Sequence, residues 1–198
     1  MISFTTVSGL RVDLEHPRPE MVDVRDVACG LSKICRFHGH MRRFYSVAQH
    51  SSFVALLVEP RLQKAALLHD ATEAYLNDLS RNLKHSKYLL GYRILEDRWR
   101  QVIRQAFNIY TTETEDATIK VADDLAAVWE RVVLRKELDW ETFGQDEIKR
   151  CCAEGWIGSD EEPLQRLFHD TPPWWTPMGP DPAEQQFIGD IIRYEKHR

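Results

Sequence analysis

The chain has 198 residues, of which 43% are hydrophobic and 29% charged, with a formal net charge of -5. That length suffices for one substantial core, and the acidic balance argues against a protein that coats DNA or RNA, which needs a net basic face. No apolar run is long enough to cross a bilayer, and MISFTTVSGLRVDLEHP at the start has no basic region ahead of an apolar core, so a signal peptide is not expected and a cytoplasmic location is.

The first twenty residues mix β-branched residues with Ser8-Gly9, Pro17 and Pro19, which predicts a short hairpin turning at Ser-Gly. Between Pro19 and Arg36, Met21, Val24, Val27, Ala28, Leu31 and Ile34 recur at helical spacing, with Glu20, Asp23 and Asp26 toward the start, where the helix dipole favours acids. A polar loop, CRFHGHMRR, follows. His38, His40, Arg42 and Arg43 read as solvated, whereas Arg36 stands at a helix end beside Phe37, where a guanidinium can reach a phosphate while the aromatic lines a pocket. The cysteines Cys29, Cys35, Cys151 and Cys152 form no CxxC pair and no zinc-ribbon spacing, and read as reduced thiols.

Ser46 is the expected N-cap of a helix carrying His50 and closed by Pro60. A lone histidine on such a helix is more often a core or surface residue than a ligand. The next predicted helix, 61–75, has Leu62, Ala65, Ala66 and Leu68 on its core side, and His69-Asp70 interrupts its most apolar part. A charged Asp buried there without a partner costs on the order of several kcal/mol, so a metal or a strong polar network is required. Glu73 falls one turn further on the same side. Asn77 is expected to end the helix, followed by Asp78 and the basic segment Arg81 to Lys84.

Tyr88, Leu89, Tyr92, Leu95, Trp99, Val102, Ile103 and Phe107 predict a long amphipathic helix whose stripe is core. Thr112 and Glu115 make a capping box for another, with Val121, Leu125, Val128, Trp129 and Val132 inward. That helix carries Asp123 and Asp124, the best-placed carboxylates for a distant fourth ligand; helical geometry alone does not choose between them. Residues 139–170 are acidic and less periodic, with helices expected over 146–152 and 163–168. Residues 171–177, TPPWWTP, predict an extended strap held by Trp174 and Trp175. Asp181, Pro182 and Glu184 match a cap, a first-turn proline and a capping-box acid for a last helix with Phe187, Ile188, Ile191 and Ile192 on one face. With no repeat, linker or low-complexity tract, residues 1–198 are expected to form one mainly helical domain, the strap and last helix, 171–198, packing on it.

His50, His69-Asp70 and the later Asp123 resemble the H…HD…D signature of the HD-domain metal-dependent phosphohydrolases. CRFHGHMRRFYSVAQHS, ALLHDATEAYLNDLSRNLK and KVADD are similar to the branch containing bacterial 5′-deoxynucleotidases and, more closely, phage deoxynucleotide phosphohydrolases of the dATP triphosphohydrolase type. PPWWTPMGPDPAEQQFIGDII is similar to the strap and last helix of small prophage members. The resemblance implies an all-α HD-domain helical bundle with a short N-terminal hairpin, and a divalent metal held by His50, His69, Asp70 and Asp123. It implies Glu73 as general acid or base, Asp78 in its support or orienting the attacking water, Arg36 and Lys84 on phosphate oxygens, and Phe37 against the sugar C2′, where relatives carry a bulkier aromatic. Ser80-Arg81-Asn82 stands where many relatives have a proline.

Histidine ligation favours Mn, Co, Ni or Zn over Mg, and four protein ligands leave one or two positions for water and substrate. The implied activity is hydrolysis of a deoxynucleotide, dATP first, with a deoxynucleoside 5′-monophosphate as the alternative. A non-catalytic nucleotide-binding scaffold of the same fold is the rival from another class. A guanosine-tetraphosphate hydrolase would carry HDxxED, where this chain has Glu73-Ala74. The expected partners are a deoxynucleotide and further copies of the chain, with no nucleic-acid polymer and no membrane.

Overall fold

Gly9, at a φ of 87°, turns the chain between β1 (Ser3–Thr5) and β2 (Arg11–Asp13), a conformation that glycine adopts without a Cβ penalty. The strands pair antiparallel with Phe4 opposite Val12, and the hairpin is the expected one. It is tied to the helical body by a buried acid: Asp26 accepts from Ser8 N at 2.8 Å and Ser8 Oγ at 2.7 Å. The computed structural model describes residues 2–134, 149 and 176–195. The helix expected over 146–152 (Lys149 apart), that over 163–168, the Trp174 and Trp175 strap, and Cys151 and Cys152 lie outside these. Cys29 and Cys35 are free thiols.

Among the described residues the fold is all-α apart from this hairpin. A single turn, Pro19–Met21, precedes α1 (Val24–Lys33), which Asp23 caps through its side chain on Arg25 N. The expected helix is thus split at Val22, because the proline starts one turn and the Asp cap starts another. α2 (Val47–Leu56) is capped by Ser46, whose Oγ accepts from Gln49 N at 3.1 Å. It ends before Pro60, which opens the turn Pro60–Leu62 instead of closing α2.

The helix expected over 61–75 is broken. α3 (Gln63–Leu67) and α4 (Glu73–Leu76) flank tight turns at 68–72, and Asn77, at a φ of 69°, ends α4. Along a regular helix neighbouring residues point about 100° apart. The turns, bonded from Ala71 N to Leu68 O and from Glu73 N to Asp70 O, let His69 and Asp70 aim at one spot. A short α5 (Arg81–Lys84) and the turn Lys87–Leu89 lead into α6 (Leu90–Ala106) and then α7 (Glu113–Val133), which opens on the expected Thr112–Glu115 capping box.

α8 (Pro180–Glu195) packs on α1, α2 and α3, while α2 also lies against α7, and α1 against α4. Gly30 permits the last contact, since a Cβ there would stand 3.0 Å from Ala74 Cα. Trp99 of α6 is fully buried, stacks on Tyr75 at 4.2 Å and donates from Nε1 to Leu14 O, joining α6 to α4 and the hairpin.

Three expected core positions are corrected. Tyr88 precedes α6 and is 80% exposed, Val121 is 58% exposed because α7 turns Ala122, Ala126 and Trp129 inward, and Ile192 is 49% exposed because Ala183, Phe187, Ile191 and Tyr194 form the buried face of α8. α8 also begins at Pro180, which puts Asp181 in its first turn rather than at the cap. Among the described residues no helix is long and apolar enough to cross a membrane.

Candidate metal centre

His50, on α2, is fully buried, and its Nε2 faces two carboxylates: Asp123 Oδ1 at 3.2 Å and Asp70 Oδ2 at 3.7 Å. His69 Nε2 lies 3.1 Å from Asp70 Oδ2 and 3.8 Å from Asp123 Oδ1, and is buried with no hydrogen-bond partner. Among the described residues, His50 of α2, His69 of the turn after α3 and Asp123 of α7 bring one ligand atom each within 4.8 Å of one another, and Asp70 stands beside both imidazoles. Asp124 turns instead to Lys120, which also donates to Asp123 Oδ2 at 3.0 Å.

The imidazoles are held from behind. His69 Nδ1 lies 2.7 Å from Ala66 O, and His50 Nδ1 lies 2.7 Å from Glu130 Oε1. A carbonyl oxygen only accepts, so His69 carries a proton on Nδ1, and in the neutral ring the lone pair of Nε2 faces the acids. Donor atoms spaced like these suit a cation roughly 2.0 to 2.2 Å from each, and the partnerless His69 Nε2 is a group such an ion would satisfy. The residues present fit a divalent transition metal.

Electrostatics describe a site that wants positive charge. Burial pushes the Asp70 carboxyl up, but His69 and His50 outweigh it and hold it below the usual carboxylate range. Asp123 is likewise held well below that range by the same imidazoles against burial. Burial lowers His69, yet the Asp70 and Asp123 carboxylates raise it well above the ordinary imidazole value.

Glu73 sits at the start of α4, not further along one helix with His69 and Asp70. It is buried, its Oε2 has no partner, and burial followed by the charges of Asp70 and Asp78 raises it well above the usual carboxylate range. Asp78 lines the same cavity. That cavity holds about 960 Å³ and is lined by His69, Asp70 and Asp123, by Arg36, Phe37 and Lys84, and by Arg93, Arg100, Arg104 and Arg131 together with the acids Glu96, Asp97 and Asp116.

Arg36 and Phe37 are presented by a loop whose ends are pinned by an isolated bridge between Cys35 and Ser46 and by Arg36 N donating to Tyr45 O. Phe37 and His38 both take φ values of 54°, strained for residues with a Cβ, and Phe37 lies between the guanidinium groups of Arg36, 5.2 Å from its centroid, and Arg131, at 5.6 Å. His38, His40, Arg42 and Arg43 are exposed, as expected of a solvated loop.

Both expected phosphate-binding cations have protein partners. Lys84 Nζ donates to Glu96 Oε1 at 2.7 Å and lies 3.7 Å from Glu73 Oε1; Arg36 donates from Nη2 to Glu130 Oε2 at 3.0 Å. Glu96, Lys120 and Glu130 were not singled out from the sequence. Glu130 could have been found, since it follows Asp123 by seven residues, two helical turns, on the same face of an otherwise apolar run. Glu96 likewise interrupts the stripe between Tyr92 and Trp99.

The chain is similar to the uncharacterized protein YfdR of Escherichia coli (strain K12), with 36% identity over 126 residues that cover 64% of this chain and 68% of that one. It is also 33% identical over 132 residues to the uncharacterized protein RCAP_rcc00048 of Rhodobacter capsulatus, covering 61% and 67%. No protein-family model matches.

Proposed function

We propose that this chain, which belongs to the family of the Escherichia coli protein YfdR, is a metal-dependent phosphohydrolase of deoxynucleotides, with dATP as the first substrate to try. The observation that carries the proposal is the approach of His50, His69, Asp70 and Asp123 to one another at the wall of a cavity that Arg36 and Lys84 also line. The resemblance to HD-domain phosphohydrolases supplies the reaction class, and the donor set supports a transition metal rather than Mg.

A divalent ion held there would acidify a bound water and polarise a phosphoryl oxygen. The remaining work falls to the chain's own side chains. Arg36 and Lys84, at the cavity wall beside the cluster, offset the negative charge of the phosphate under attack. Glu73, a buried carboxyl on the cavity wall that burial and the charges of Asp70 and Asp78 raise, serves as general acid or base in the transfer of a proton to or from the reacting oxygen. Phe37 packs against the sugar, and its replacement by alanine is expected to raise kcat/KM for ATP relative to dATP; an unchanged ratio would remove Phe37 from sugar selection.

Arg93, Arg100 and Arg104 also line the cavity, Arg100 paired with Asp97 and Arg104 with Asp116, and this further positive charge is the reason to try a triphosphate before a monophosphate. By the same resemblance the protein assembles with copies of itself, and exposed Leu83, Tyr88, Leu90 and Ile94 are apolar side chains that such a contact would cover. The test is incubation of the purified protein with dATP and Mn or Co and identification of the products. Inorganic triphosphate is the expected one. Phosphate released from deoxynucleoside monophosphates alone would replace the triphosphohydrolase by a 5′-nucleotidase, and no turnover of any nucleotide with any divalent ion would favour a binding scaffold.

A further inference from the structure

A fully buried acid at the site is given no role in the reaction proposed above. Glu130 of α7 is fully buried, and its two oxygens go to different members of the site: Oε1 lies 2.7 Å from His50 Nδ1, and Oε2 accepts from Arg36 Nη2 at 3.0 Å. We propose that Glu130 is a positioning residue that fixes, through one carboxylate, both the imidazole tautomer presented to the cation and the guanidinium presented to the phosphate. The inference rests on the metal-dependent phosphohydrolase assigned above.

The physical case starts from donor and acceptor capacity. His50 has a carboxylate at each ring nitrogen, Glu130 at Nδ1 and Asp123 with Asp70 at Nε2; a cation seated among the latter would take the Nε2 lone pair, and since an ionised carboxylate only accepts, the one proton of the ring then stands on Nδ1, facing Glu130. Arg36 belongs to a loop, not a helix interior, and two contacts fix its head: the Glu130 oxygen and the Phe37 ring at 5.2 Å. Its Nε is buried with no partner, so the bond to Glu130 is not duplicated there. Because Asp123 and Glu130 are two turns apart on α7, one rigid element sets a cation ligand, the tautomer of a second ligand and the phosphate-facing cation. A charge pair serving stability alone would need Arg36 but not His50.

Glu130→Gln separates the two tasks. The amide has one acceptor oxygen and one NH₂ donor, so it can accept from His50 or from Arg36 but not from both. If its NH₂ turns to His50, the proton moves to Nε2 and Mn(II) affinity, read by calorimetry or EPR, falls by about 10- to 100-fold. If it turns to Arg36, the KM for the nucleotide rises while kcat changes little. In the wild-type protein loaded with Zn, long-range ¹H–¹⁵N spectra are expected to show His50 with a proton on Nδ1. An unprotonated Nδ1 there, or a Glu130→Gln protein with wild-type Mn(II) affinity and wild-type KM, overturns the inference. The wild-type spectrum decides it even where the variant does not fold. Wild-type protein that takes up no divalent ion at all would instead overturn the phosphohydrolase assignment on which this stands.

Discussion

At the scale of single residues, the site is recognisable by where its polar groups are placed rather than by how many there are. His69 and Asp70 stood out in the sequence because they interrupt an apolar run, and burial explains why such an interruption demands a partner. Their roles separate on substitution. His69→Ala or Asp70→Ala is expected to abolish both metal uptake and turnover. Glu73→Ala should retain the metal and lose about a hundredfold or more in rate, the usual weight of a proton transfer. Equal metal loss in all three, measured by atomic emission on dialysed protein, would make Glu73 a ligand. Glu130 and Glu96 were missed because an acid on a long helix ordinarily faces water, and only packing reveals which helical face is covered.

At the scale of elements, the helices of the described region were legible from caps and periodicity, and their registers less so. Ser46 and the Thr112–Glu115 box marked true starts because a cap depends only on neighbouring residues. Val121 and Ile192 lie on apolar-patterned helices yet face solvent, because the inward face is chosen by the partner helix and not by the stripe alone. The break of the 61–75 helix at His69-Asp70 left no Gly or Pro to announce it; a series of i to i−3 backbone bonds makes the turn. Helix contact also sets a steric limit at Gly30. Alanine there would by propensity favour α1 by about 1 kcal/mol, but its Cβ would meet Ala74 backbone at 3.0 Å, and Glu73 is the adjacent residue. Overpacking of this kind typically costs about 1 to 3 kcal/mol, so Gly30→Ala is expected to lower the denaturation midpoint and reduce turnover with metal content unchanged. A more stable variant would contradict the α1–α4 contact. Phe187→Ala, on the buried face of α8, should cost about 3 to 5 kcal/mol in urea denaturation.

At the scale of the whole molecule, the cluster joins α2, the turn after α3 and α7, so its charge state bears on stability. In the metal-free chain the imidazoles of His50 and His69 are raised: burial pushes both down, but carboxylates facing them outweigh it. Their stabilisation is complete below the unfolded imidazole value of about 6.5 and is lost as pH rises through the higher folded values. Asp70 and Asp123 are depressed, so theirs is present above the unfolded value of about 3.9 and is lost as pH falls through the lower folded values. In chelator, the contribution of the cluster is therefore expected to be greatest between about pH 4 and 6.5, and Tm should fall toward alkaline pH. Added Mn should raise Tm more on the alkaline side, where neutral imidazoles are free to bind it. A Tm profile in chelator that is flat above neutrality would contradict the assigned imidazole environments.

The most direct test of the central claim, one cation held by two imidazoles and two carboxylates, is the metal content per chain of wild-type, Asp123→Ala and Asp124→Ala proteins after loading with Mn or Co and dialysis. One ion in the wild type, one in Asp124→Ala and none in Asp123→Ala is the expected pattern. Full loading of Asp123→Ala, or loss from Asp124→Ala alone, would contradict it.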